Sequence, residues 1–128
     1  MIKGRDLLID FAIKYKGSSR MILDAIQNGE SPARDEVEKN VLSVKSKVVT
    51  VLDDDYPRSL YHINGTPFVL FYYGDLSIIS DYTRCVSVVG SRKLTQYEET
   101  NLNSIMDQLG DKATIVSGLA FGADSLAQ

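Results

Sequence analysis

Two turns in this sequence combine residue types suited to holding an anion. In VSVVGSRKLTQY (residues 86–97) a β-branched run stops at Gly90, and Ser91 and Arg92 follow before a helical pattern begins. In IVSGLAFGADSLA (residues 115–127) an apolar run stops at Ser117 and Gly118, with Gly122 and Asp124 further along the same turn. A glycine lets backbone amides approach an anion closely. Serine supplies a hydroxyl, and arginine a planar fork that matches phosphate oxygens. Amides at the start of a helix add the positive end of its dipole. Asp124 is better suited to capping or orienting the turn than to touching a phosphate. The chemistry these residues offer is phosphate recognition. Either turn alone is also explained by sterics, because a strand-to-helix corner often needs a glycine and an arginine beside it is often solvated. Gly90 and Gly118 stand 28 residues apart in one strand-helix-strand pattern, and that pairing favours an anion site.

Other chemistries find less support. Neither turn is a G-x-G-x-x-G fingerprint or a Walker A loop, which disfavours nicotinamide chemistry and nucleotide triphosphate hydrolysis. His62, the only histidine, lies in LYHING without a nucleophile or a metal-spaced partner. Asp53-Asp54-Asp55 precedes Tyr56-Pro57, the composition of a solvated turn more often than of a metal site. Cys85 is the only cysteine, which excludes an internal disulfide and a cysteine-cluster metal site. It is expected in the core of its strand, in a reducing compartment such as the cytoplasm. The sequence assigns no catalytic residue, no metal and no cofactor.

The elements that must position the two turns follow from periodicity. Residues 1–47 read as helical. Leu7, Leu8, Phe11, Ala12 and Tyr15 recur at helical spacing until Lys16-Gly17. Ser18 or Ser19 caps a second helix carrying Met21, Ile22, Ala25 and Ile26, which Asn28-Gly29 ends. Ser31-Pro32 has the cap and first-turn signature of a third helix, with Val37, Val41, Leu42 and Val44 as its apolar residues. From residue 48 the alphabet changes. VVTVL (48–52) and FVLFYYG (68–74) read as strands; Tyr72 and Tyr73 alternate, so one of them belongs to the core. A strand at 85–89, a helix at 95–109 and a strand at 114–116 complete the pattern. Leu102, Ile105, Met106 and Leu109 give that helix an apolar face. The expectation is an α/β chain with a helical domain over 1–47 and a parallel sheet over 48–128. In such sheets ligands bind beyond the carboxyl ends of the strands, where both turns fall.

Charge narrows the reading further. The chain of 128 residues carries a net charge of −3. Nine Lys/Arg against seven Asp/Glu in residues 1–47 leave +2, whereas five against ten in residues 48–128 leave −5. An anion site in the second part must therefore be local, built from amides and an arginine or two, and not from a broad basic face. No apolar run approaches the roughly 20 residues that cross a bilayer, and no membrane partner is expected. The sequence stops a turn or two into a last helix, which reads as the N-terminal portion of a longer protein with a truncated sheet.

Taken in order, DDDYPRSL (53–60), PFVLFYYGDL (67–76), VSVVGSRKLTQY (86–97) and IVSGLAFGADSLA (115–127) resemble the DprA/Smf family of DNA-processing proteins. The resemblance covers residues 48–128. It implies an extended Rossmann-like fold preceded, at residues 1–47, by a small helical domain of the sterile-alpha-motif type. It implies binding of single-stranded DNA without catalysis, protection of incoming strands in natural transformation, loading of the RecA recombinase, and a homodimer in the full-length parent. On this resemblance Gly90, Ser91, Arg92, Ser117 and Gly118 hold a DNA phosphate, with Gly122 and Asp124 supporting the loop. Two positions depart from the family pattern: Glu98 where glycine is usual, and Gln128 where histidine is usual. The alternative is a nucleotide-binding enzyme of a related fold, a phosphoribohydrolase, whose P-G-G-x-G-T-x-x-E motif the sequence lacks.

Overall fold

The computed structural model describes residues 2–80, 82–90 and 93–118. The chain divides into two compact units, Met1–Ser80 and Asp81–Gln128. The compositional change at residue 48 does not coincide with this division, because the three helices of the first unit pack with the strands that follow them.

In the first unit, helix α1 (Gly4–Lys14) buries Leu8, Ile9, Phe11 and Ala12. It ends in a Schellman motif: Gly17 N–H donates to the Ala12 carbonyl at 2.8 Å and Lys16 N–H to Ile13 at 3.4 Å. Lys16 and Gly17 take φ values of +52° and +79°, the left-handed turn that satisfies the last carbonyls of a helix. Helix α2 (Ser19–Gln27) is capped by Ser18, whose hydroxyl accepts from Met21 N–H at 3.3 Å. Its end repeats the Schellman pattern, with Gly29 at φ +67° and Glu30 N–H donating to the Ala25 carbonyl at 2.9 Å.

Helix α3 (Arg34–Ser43) corrects the sequence reading at its start. The capping residue is Ala33 rather than Ser31, and no side chain caps the helix. Asp35 and Glu36 occupy the first turn instead, where their charge complements the helix dipole. Val37 is buried, and Val41 and Val44 pack against the core. Leu42 points away and is 85% exposed.

Strands β1 (Lys47–Thr50) and β2 (Val69–Tyr72) pair in register from Lys47 with Tyr72 to Thr50 with Val69. They are antiparallel, which corrects the expectation that the sheet is parallel throughout. The connection fits this: residues 51–68 are long enough for a crossover but hold only turns and a short 3₁₀ turn at Arg58–Leu60, without the α-helix that usually carries a parallel one. Val69 joins the helical core with Phe11, Ile9 and Ile22. Tyr72 is half-buried and Tyr73 is exposed; neither joins the buried core, which corrects the expectation that one of them belongs to it.

The turn at Asp53 ties this unit together. Its carboxylate accepts from Arg5 Nε at 3.1 Å on each oxygen and from Thr50 N–H at 2.8 Å. Arg5 also donates to the Val48 carbonyl at 3.1 Å. Burial raises the Asp53 pKa, but the Thr50 amide and the Arg5 guanidinium outweigh it and hold the carboxyl below its ordinary value. The three-aspartate run is thus a structural turn at its first member, Asp53. Three residues on, the buried Tyr56 donates its hydroxyl to the Pro67 carbonyl at 2.5 Å.

The second unit is a β-α-β element. Strands β3 (Cys85–Ser87) and β4 (Thr114–Val116) are parallel, in register Cys85–Thr114, Val86–Ile115 and Ser87–Val116. Helix α4 (Gln96–Leu109) forms the crossover. On its apolar face Leu102, Met106 and Leu109 are half-buried, but Ile105 is 54% exposed. Cys85, expected in the core, is half-buried. No described residue of α4, β3 or β4 is fully buried. The molecule is mixed α/β, as its patterning indicates.

Candidate functional site

Both candidate turns leave the carboxyl ends of β3 and β4. Ser117 and Gly118 directly follow Val116, the last residue of β4. Gly90 follows the last residue of β3, Ser87, by three positions. Between them, Val88 N–H donates to the Val116 carbonyl at 2.9 Å, continuing the ladder one step past the assigned strand. The parallel register therefore brings Gly90, Ser117 and Gly118 to one end of the strand pair. Ser91, Arg92, Gly122 and Asp124 lie outside the described residues.

The opposite end of the strands carries Arg84. Its guanidinium donates from Nη2 to the Asp111 carbonyl at 3.0 Å and from Nε to the Lys112 carbonyl at 3.4 Å. These carbonyls belong to the 3₁₀ turn Gly110–Lys112 that leads into β4. Arg84 is thereby placed away from the candidate turns, as its position before β3 predicts.

Helix α4 begins with a capping box that settles the direction of Glu98. The Thr95 hydroxyl accepts from Glu98 N–H at 3.1 Å, and the Glu98 carboxylate accepts from Thr95 N–H at 3.2 Å. Glu98 is thus turned back onto the helix start. Glu99 N–H makes the first intrahelical bond, to the Thr95 carbonyl at 2.9 Å. The amides of Thr95 and Glu98, two of those a helix start could offer an anion, are thereby occupied, and two acids already sit in the first turn. The start of α4 therefore has less to offer an anion than its pattern alone suggests. The signal is legible in the sequence as Thr-x-x-Glu before an apolar run.

The remaining candidates fall out on geometry. His62 is exposed, and no group of His, Cys, Asp or Glu among the described residues could hold a metal ion. A cavity of about 420 Å³ in the first unit is lined by Lys47, Arg58 and Tyr72 but also by Asp54, Asp55 and Asp75. Three carboxylates make it a poor receptor for phosphate. Asp75 is held below its ordinary pKa by the hydroxyl and amide of Ser77, which reinforces its negative charge. No helix among the described residues is long and apolar enough to cross a membrane.

Fold and turns define a mixed α/β protein whose second unit presents two loops beyond paired parallel strands. The sequence profile of DNA recombination-mediator protein A matches residues 47–128, and the chain belongs to that family. It is 37% identical over 78 residues to the DNA processing protein DprA of Streptococcus pneumoniae, an alignment covering 61% of this chain and 27% of that protein. It is 34% identical over 80 residues to DprA of Bacillus subtilis, covering 62% of this chain and 27% of the relative. Protein Smf of Borreliella burgdorferi is 33% identical over 88 residues, covering 68% of this chain and 27% of its own length. The chain thus spans about a quarter of these relatives. The X-ray structure of S. pneumoniae DprA superposes with a TM-score of 0.59 at 25% identity, over 85% of this chain and 39% of that one. The family drawn from the four motifs is therefore the family to which the chain belongs.

Proposed function

We propose that this chain is the phosphate-holding part of a single-stranded DNA-binding recombination mediator. In this reading Gly90, Ser91 and Arg92 grip a backbone phosphate, Ser117 and Gly118 complete the loop from the neighbouring strand, and Gly122 and Asp124 support it. The observation that carries the reading is the ladder that leads both turns off the same end of β3 and β4. The relatives' names, which speak of DNA processing, supply the substrate class. The family match begins at residue 47, so residues 1–46 would add a helical part that packs with β1 and β2 in the first unit. The absence of a nucleophile-base pair from the sequence favours binding without catalysis. The full-length protein would act in the cytoplasm as a homodimer, protect incoming strands in transformation and load RecA on them.

The test compares full-length protein on a single-stranded oligonucleotide and its duplex in matched salt. A loop that follows one flexible backbone, set in an acidic unit, predicts clear preference for the single strand. Equal affinity for both forms would reject the reading. RecA nucleation on the same strand, with and without the protein, then tests the loading step.

A further inference from the structure

The cavity of about 420 Å³ in the first unit is acidic; a second concavity of that unit is not. The second is an open groove of about 320 Å³ between the end of α1, the link from α3 to β1, and the end of β2, lined by Ile13, Ser43, Lys45, Ser46, Phe71 and Tyr73 among others. It contains no carboxylate. Exposure rises along the strand toward it: Val69 is 8% exposed, Phe71 44% and Tyr73 82%. Alternate strand residues share a face, so Phe71 emerges from beneath the helices on the side where Val69 is buried, and Tyr73 extends into the same groove. Neither ring packs on another aromatic ring among the described residues. Lys45 is exposed and forms no ion pair there. Lys47, two residues on, is already committed to the Gly74 carbonyl at 2.8 Å.

We propose that this groove is a second contact for single-stranded nucleic acid, in which an unpaired base stacks on Tyr73 and Phe71 while Lys45 meets the adjoining phosphate. Exposed aromatic faces beside a cation are what an unpaired base and its backbone require, and stacking tolerates any base because each has a π-face. In a duplex those faces are covered by neighbouring base pairs. The Ser43 hydroxyl donates to the Asn40 carbonyl and keeps its lone pairs for a base N–H. Charge complementarity favours this occupant over a protein segment. An apolar protein ligand would cover the rings but leave Lys45 without a counter-charge. The groove draws on residues of the first unit only, so it does not depend on the Gly-Ser-Arg turn.

The experiment measures binding of full-length protein to an oligothymidylate and to an abasic strand with the same number of phosphates, in matched salt. The groove predicts tighter binding of the base-bearing strand, by about 5- to 150-fold if one base is stacked. Tyr73→Ala should abolish most of that difference, and Tyr73→Phe should retain it. Lys45→Ala should weaken both strands equally and shrink the salt slope by about 0.7. Arg92→Ala, acting on the other site, should also weaken both strands equally, so loss of one site is distinguishable from loss of the other. A Tyr73→Ala protein with unchanged thermal unfolding and an unchanged preference for bases would overturn the proposal. So would equal affinity of the parent protein for both strands. A change in oligomeric mass on Tyr73→Ala, without any effect on strand binding, would assign the groove to a protein partner instead.

Discussion

The backbone N–H of Val88 reaches the Val116 carbonyl at 2.9 Å, one step beyond the last register pair, Ser87–Val116. That bond joins the exit of β3 to the exit of β4 and fixes where each loop departs. Without it, Gly90 would lie three unpaired residues beyond its strand. With it, the two glycine-containing turns start from neighbouring points on one edge.

The capping box predicts opposite outcomes for its two members' charge and hydrogen bonding. Thr95→Ala should destabilise the fold by about 1 kcal/mol, the usual cost of losing a side-chain cap. Glu98→Gln keeps an acceptor for Thr95 N–H and should cost less. Because the carboxylate is turned onto Thr95, Glu98→Gln should leave single-strand affinity within about twofold, a factor worth under half a kcal/mol. A tenfold tightening would mean that Glu98 faces the bound phosphate.

Acid should loosen the first unit through Asp53. Its carboxyl pKa is lowered in the folded state by Thr50 and Arg5 against the opposing effect of burial. A lowered folded pKa gives stability that is present above the unfolded value, about 3.9, and is lost as pH falls through the folded value. Asp53→Asn should therefore be less stable than the parent at pH 7, by about 1–3 kcal/mol for a charged hydrogen-bond acceptor. The gap should narrow below about pH 4. Denaturant titrations of both proteins from pH 7 to pH 2.5 check this, and a gap independent of pH would contradict it.

These two cases show what the sequence makes legible. Local signals translate well: Ser18 caps α2, Gly29 ends it, and β4 occupies Thr114–Val116 as its β-branched run predicts. Long-range pairing translates less well. Nothing in VVTVL or FVLFYYG states strand direction, because near-continuous apolar runs suit either arrangement and only the helix-free connection decides. Arg5 and Asp53 are 48 residues apart, and neither has a local pattern that announces its partner. At the candidate site, the turns and their shared edge were legible from strand-helix-strand order. The capping role of Glu98 is carried by its spacing from Thr95, a local signal that its place as a departure from the family pattern does not convey.

A buried polar pair offers a further check on the helical packing. Asp10 is fully buried on α1, and its Oδ1 accepts from Asn40 Nδ2 of α3 at 2.6 Å. Its Oδ2 has no partner among the described residues. Asn40→Ala should therefore destabilise by about 1–3 kcal/mol, since it removes the donor from a group that cannot reach water. Replacing both by leucine should cost less than Asn40→Ala alone, because an apolar pair leaves nothing unsatisfied. Urea unfolding of the three proteins would refute this if the double variant were the least stable.

The central claim is that a local phosphate grip, not diffuse charge, holds the strand, and two arginines of equal charge separate these possibilities. Arg84 is fixed to the Asp111 and Lys112 carbonyls at the amino ends of the strands, whereas Arg92 follows the turn at their carboxyl ends. In the full-length protein, salt-dependent affinity for one single-stranded oligonucleotide should be measured for Arg92→Ala, Arg92→Lys and Arg84→Ala. A charged hydrogen bond to phosphate is worth about 1.5–3 kcal/mol, so Arg92→Ala should weaken binding about tenfold or more and reduce the salt slope by about 0.7. Arg92→Lys should recover only part of the loss, because the charge returns without the bidentate fork. Arg84→Ala should change affinity little. Equal losses from Arg84→Ala and Arg92→Ala would contradict the account and reduce the Gly-Ser-Arg turn to a corner in the fold.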